Sequence, residues 1–207
     1  MLYLRILFTT HINTTITHRS ENKFPRYKWN NLQLFYPHID LSQINVSPLA
    51  RKYLRDVYSP VKLGVYFLRY LPTAWWWGIE VRSATANAAR VYLPFSWRTS
   101  NPFRSIYFAA LCGAGELASG ILANLARIDK GDISMIVVSQ QAIFLKKANT
   151  DVIFTCEQGD LAFEAVQKAL DTGEPQQVEM LATGRNTYGE VVATVTINWS
   201  YKVKSPK

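Results

Sequence analysis

From residue 191 to residue 204 the side chains alternate. Val191, Ala193, Val195, Ile197, Trp199, Tyr201 and Val203 are apolar, while Thr194, Thr196, Asn198, Ser200, Lys202 and Lys204 are polar. A period of two puts one set on each face, so this segment predicts a half-buried antiparallel strand. Its hairpin partner is expected over residues 177–187, across Tyr188-Gly189. Residues 101–127 follow another rule: they are apolar or small almost all the way round, and Glu116 is their only acid. Asn is a favoured N-cap and Pro fits the first turn, so this helix is expected to begin at Asn101-Pro102. A helix without a polar face belongs in the interior, wrapped by other elements.

The remaining pattern fills in around these two. Residues 48–58 carry Leu49, Tyr53, Leu54 and Val57 on one side and Arg51, Lys52, Arg55 and Asp56 on the other, which predicts a helix. Residues 61–71 read as a second helix, ended by Pro72. Trp75, Trp76 and Trp77 are expected to lead into the first strand, with 77–84 and 88–94 as a hairpin. Strands are expected at 133–146 and 151–157, and then a short helix that Asp160 caps and Gly173 ends. Residues 1–30 show no period, so residues 1–45 are expected to be a poorly defined tail. Residues 46–207 then form one domain, including the leading helices of 48–71.

Composition agrees with a packed core: 48% of the residues are apolar and 13% aromatic. The net charge of +8 is uneven, since residues 1–75 carry 10 Lys and Arg against 3 Asp and Glu. That asymmetry suits either a solvated basic face or peripheral contact of this N-terminal third with an anionic ligand or membrane. The basic residues are scattered and no nucleic-acid motif accompanies them, which argues against a nucleic-acid partner. Lys62, Arg69 and Pro72 break the apolar window at 61–77, and Arg5 interrupts the one at the start, so neither a bilayer span nor a leader is expected. Cys112 and Cys156 have no metal or disulfide spacing, and a cytoplasmic protein is the expectation. Gly113, Gly115 and Gly120 lie inside the helical run and are read as close-packing positions, not as a phosphate loop.

The order strand–strand–long apolar helix–four strands resembles the hotdog fold: an α+β domain whose curved antiparallel sheet of about six strands wraps a central helix. The words agree. Val91-Tyr92-Leu93-Pro94-Phe95-Ser96-Trp97, then Asn101, then Ser105-Ile106-Tyr107-Phe108-Ala109-Ala110, is similar to the "LP-x-x-W…N…GS-L/I-Y-x-A-A" segment of hotdog thioesterase-like proteins. The nearest branch is one defined as a domain of unknown function, related to acyl-CoA thioesterases of the phenylacetate-degradation type. The likeness covers about residues 60–204.

The resemblance implies a homodimer or dimer of dimers that binds an acyl-CoA thioester, needs no other cofactor, and acts as an acyl-CoA thioesterase. It implies that Asn101 matches the catalytic-loop Asn, and that N–H groups at Arg104, Ser105 and Ile106 face the thioester oxygen. Ala109, Ala110 and Gly113 would line the acyl pocket. The family's paired glycines stand here as Arg104 and Ser105, and its helix acid falls on Leu111 or Cys112. Glu116, one turn beyond Cys112, is the acid left to act as base. Each residue has a plainer reading beside this one. Glu116 can be a carboxyl bonded to Ser119 or placed at a dimer seam, Asn101 a cap, and Arg104 a solvated cation. With the acid moved, a non-catalytic acyl-thioester binding or scaffold protein is the alternative to a thioesterase.

Overall fold

A computed structural model describes residues 46–204, which fall in one compact unit; the expected tail of residues 1–45 lies outside them. Three short helices come first: α1 (Pro48–Tyr58), α2 (Pro60–Tyr70) and α3 (Pro72–Trp77). Each has Pro at its first position, where the missing N–H costs nothing and the fixed φ suits the helix. Ser47 and Ser59 cap α1 and α2, their hydroxyls accepting the N–H of Ala50 (3.1 Å) and Lys62 (3.4 Å). The three tryptophans do not lead into a strand as expected. They form the body of α3, which Gly78 ends at φ 70°.

Strands β1 (Glu80–Ala84) and β2 (Ala89–Leu93) follow, then the central helix α4 (Phe108–Arg127), β3 (Ile133–Phe144), β4 (Val152–Cys156), α5 (Gly159–Thr172), β5 (Gln176–Asn186) and β6 (Val191–Val203). The strands form one antiparallel sheet in the order β1-β2-β4-β5-β6-β3. The sheet curves around α4, which packs against β2, β4, β5 and β6: this is the expected hotdog architecture. The apolar positions of β6 are the buried ones, Ala193, Val195, Ile197, Trp199 and Tyr201 among them. Although α4 is long and apolar enough to suit a bilayer, Ala110, Ala114, Ala118, Leu122, Leu125 and Ala126 are sealed inside the fold.

Close approach fixes two glycines. A Cβ on Gly115 would lie 2.7 Å from the Val195 side chain, which packs directly on the helix backbone here. A Cβ on Gly159 would lie 2.0 Å from the carbonyl oxygen of Ala86, in the β1–β2 turn. That turn caps α5 from a distance: the Asn87 side chain accepts the Asp160 N–H at 3.0 Å, so Asp160 is not itself the cap that was expected. Backbone cannot yield like a flexible side chain, so Gly159→Ala is expected to cost about 1–3 kcal/mol, read from the urea midpoint at unchanged slope.

The indole and hydroxyl groups between α4 and β6 are paired. Trp199 donates its indole N–H to Ser119 Oγ (3.1 Å), and that hydroxyl donates to the Glu116 carbonyl (3.0 Å). The Tyr201 hydroxyl donates to the Ala123 carbonyl (3.1 Å). Ser119→Ala would strand the buried indole N–H and should lower stability by about 1–3 kcal/mol in the same measurement.

The two rims of the sheet differ. β1 is five residues long, its register shifts between Val81 and Ser83, and Glu80 pairs with Arg82. At its end the Tyr58 hydroxyl accepts the Ala84 N–H (2.8 Å) and donates to the Ala84 carbonyl (3.0 Å). β3 is twelve residues long and exposes Ile136, Val137, Val138, Ile143 and Phe144.

Candidate functional site

The loop between β2 and α4 sets the start of the central helix. Asp151 accepts the Phe95 N–H (2.8 Å) and the Tyr92 hydroxyl (2.9 Å), tying the loop to the start of β4. Thr99 is buried and donates its hydroxyl to the Pro94 carbonyl (2.7 Å). Asn101 then folds the chain into a tight turn. Its side-chain oxygen accepts from the N–H of Phe103 (3.0 Å), the N–H of Ser105 (3.3 Å) and the Ser105 hydroxyl (3.2 Å).

This corrects the expected helix start: α4 begins at Phe108, and Asn101 caps a turn. It also removes the expected oxyanion donors. The N–H of Arg104 goes to the Asn101 carbonyl (3.0 Å), that of Ser105 to the Asn101 side chain, and that of Ile106 to the Ala148 carbonyl (2.7 Å). Arg104 sits at φ 59°, a left-handed conformation that costs a side chain about 1–2 kcal/mol and a glycine almost nothing. The family's glycine at this position therefore has a backbone reason. What remains free are the first two helical N–H groups, those of Phe108 and Ala109, which find no acceptor among the described residues. The dipole of a 20-residue helix adds to them.

Beside them an open cleft of about 590 Å³ separates α4 from β3. Phe108, Ala109, Cys112, Gly113 and Glu116 line it from the helix, and Gln140, Ala142 and Phe144 from the strand. Of the three residues expected at the acyl pocket, Ala109 and Gly113 are here; Ala110 is fully buried on the core side of α4. The Phe108 and Phe144 rings meet edge to face at 6.3 Å, across the helix–strand gap.

Glu116 is the acid of the cleft. Burial pushes its carboxyl above the usual carboxylate range, and no cation offsets that rise. Ser119 is not its partner, because that hydroxyl is committed to the Glu116 main chain and to Trp199. One carboxylate oxygen lies where a Cβ on Gly120 would stand 3.2 Å away, so the glycine leaves room for it. Burial also raises the Cys112 thiol, and a hydrogen bond from Gln140 offsets part of this. Cys156 is core, its thiol pushed up to about 11. Among the described residues, no group of His, Cys, Asp and Glu could hold a metal ion.

Two contributors were missed in the sequence: the free N–H pair at Phe108-Ala109, and Gln140, whose strand was expected but not as a wall of the site. The first had a signal, the Tyr107-Phe108-Ala109-Ala110 run of the resemblance. The second had none, because β3 shows no alternation.

Comparison with known proteins agrees with this architecture. The fold is similar to those of a candidate thioesterase from Shewanella oneidensis (12% identity, TM-score 0.59, covering 73% of this chain and 99% of the other) and a candidate thioesterase from Pseudomonas aeruginosa (15%, 0.56, 70% and 96%). A thioesterase from Haemophilus influenzae is similar at 13% identity and a TM-score of 0.52, covering 70% of this chain and 90% of that one. At such identities the likeness is one of fold. No curated protein matches the chain. The model of a family described as a domain of unknown function (DUF4442) matches residues 63–201, from within α2 nearly to the end of β6. A match over that much of the chain, on a hotdog fold with its cleft between the central helix and the outermost strand, makes the chain a member of the DUF4442 family.

Proposed function

We propose that the protein is an acyl-CoA thioesterase that works as a homodimer. The observation that carries this is the meeting of two free N–H groups, a buried acid and an apolar channel in one cleft. The thioester oxygen accepts from Phe108 and Ala109, whose N–H groups stabilise it as charge develops. Glu116 takes a proton from water, the water oxygen attacks the carbonyl carbon, and the CoA thiolate leaves with that proton returned to it.

The spacing along α4 favours water as the nucleophile. Seven residues separate Ala109 from Glu116, a rise of about 10 Å, which the side chain shortens by leaning toward the helix N-terminus. The remaining gap is too long for direct attack by the carboxylate and suits one bridging water. The acyl chain runs beside Ala109 and Gly113, past the Phe108–Phe144 ring pair. A second copy pairing along the open rim of β3, which exposes Ile136 and Val138, would extend the wall that Gln140, Ala142 and Phe144 give the cleft.

A second reading, an acyl-thioester binding protein without turnover, draws on the replacement of the helix acid by the buried Leu111 and by Cys112. One assay separates the two: thiol release from acyl-CoAs of graded chain length and aromatic content, with binding followed on the same panel. Turnover supports the thioesterase. Saturable binding with no thiol release supports the binding protein, and neither outcome on any acyl-CoA overturns both.

A further inference from the structure

Helix α2 contradicts its surroundings. Apart from Lys62 and Arg69 its side chains are apolar or aromatic, with one glycine, and such a helix is expected to bury most of them; α2 buries only Phe67 fully and turns Leu63 partly inward. Val61, Val65 and Leu68 follow one another at helical spacing and stay exposed, Val61 at 76%. Tyr66 and Tyr70 pack on each other at 5.1 Å and are exposed as well. The feature continues beyond the helix. Trp75 and Trp76 of α3 are exposed, and Trp76 meets Trp97 edge to face at 5.5 Å. The Arg98 guanidinium packs by Gly78, where an added Cβ would lie 3.0 Å from it, so the α3 end and the loop after β2 form one surface. That loop exposes Trp97 at 75% and Phe103 at 77%.

The charges on this surface have one sign. Residues 60–78 and 97–108 contain Lys62, Arg69, Arg98 and Arg104 and no Asp or Glu at all. Lys62 is paired with Asp56 of α1; among the described residues Arg69, Arg98 and Arg104 form no ion pair. A second copy laid on this face would bring like charges together, and a neutral apolar partner would leave the arginines unused. An anionic bilayer answers both features: the aliphatic side chains enter the interface, the Trp and Tyr rings sit at headgroup level, and the arginines meet lipid phosphates.

We infer that the face made by α2, α3 and the 97–104 loop docks on the surface of anionic membranes. It carries the protein as a peripheral, not a spanning, component. This goes beyond the thioesterase reading and does not rest on it: vesicle binding without turnover, or turnover without vesicle binding, tells the two apart.

The test is flotation of the full-length protein with phosphatidylcholine vesicles, with and without roughly a third phosphatidylserine. Tryptophan emission is followed in the same samples. Wild type should float with the anionic vesicles only, shift its emission to the blue, and release as salt is raised. Val65→Asp/Leu68→Asp, checked for an unchanged thermal melt, should no longer float. Arg69→Glu/Arg104→Glu, which leaves the apolar stripe intact, should bind at least about tenfold more weakly. The inference would be overturned by no flotation with either vesicle, flotation indifferent to both double variants, or a lipid-free sedimentation coefficient that falls with Val65→Asp/Leu68→Asp. The last would assign the face to a second copy. Emission already blue without lipid and unmoved by vesicles would also overturn it, assigning the face to another part of the chain.

Discussion

Glu116→Gln should lower acyl-CoA turnover by about 10²–10⁴-fold, the contribution usual for a positioned general base, while the KM for the thioester stays close to that of the wild type. Gln keeps the shape and loses only the ability to take a proton. The same substitution has a second signature. Burial raises the Glu116 carboxyl in the folded protein, so the fold favours the protonated acid over the carboxylate. The stability associated with that group is therefore fully present below its unfolded value, about 4.3, and is lost as pH rises through the folded value above it. Gln, neutral throughout, escapes that loss. Glu116→Gln should thus melt at a higher temperature than wild type at pH 7, with the difference closing near pH 4. Activity and stability move in opposite directions. The acid limb of the wild-type rate profile should lie above the usual carboxylate range and vanish with the residue. A variant that kept both turnover and the acid limb would remove Glu116 from the chemistry.

Ile136→Lys/Val138→Lys should convert a dimer into a folded monomer of 23.6 kDa by light scattering and suppress turnover with it. Lysines on an open strand rim are a common obstacle to pairing: their charges must be desolvated before a second strand can approach. Both positions are already exposed, so the isolated chain should tolerate the change and keep its circular dichroism spectrum. Activity should fall because the cleft uses β3 as a wall, and the proposed partner pairs along that strand. If the doubly substituted protein remained dimeric, the association would have to use another surface.

The last hairpin was legible in the sequence because β6 has one wet face and one dry one, and α1 because Ser47-Pro48 and its amphipathic stripe coincide. The start of α4 was not. An Asn followed by Pro satisfies a turn as well as a helix, and here the Asn101 oxygen was claimed by Phe103 and Ser105 first. The tryptophans of α3 favour strands locally; Pro72 and Gly78, which bracket the helix, were the better guide. Glu116 could be singled out because it is alone in an apolar run. Gln140 could not, because a strand that exposes apolar residues on both faces shows no period from which to place a side chain.

The Tyr58 hydroxyl, bonded to both main-chain groups of Ala84, bears on how many copies can join. A sheet receptive along both rims can recruit copies in series and has no natural end. Here the β1 rim is short, kinked, charged by Glu80 and Arg82, and occupied at its end by a tyrosine acting as a false neighbour. Among the described residues only β3 offers an open rim, and in the proposed dimer two identical rims that pair antiparallel consume each other. Tyr58→Phe would reopen the Ala84 groups, so a plug 26 residues away from them would keep the proposed assembly finite.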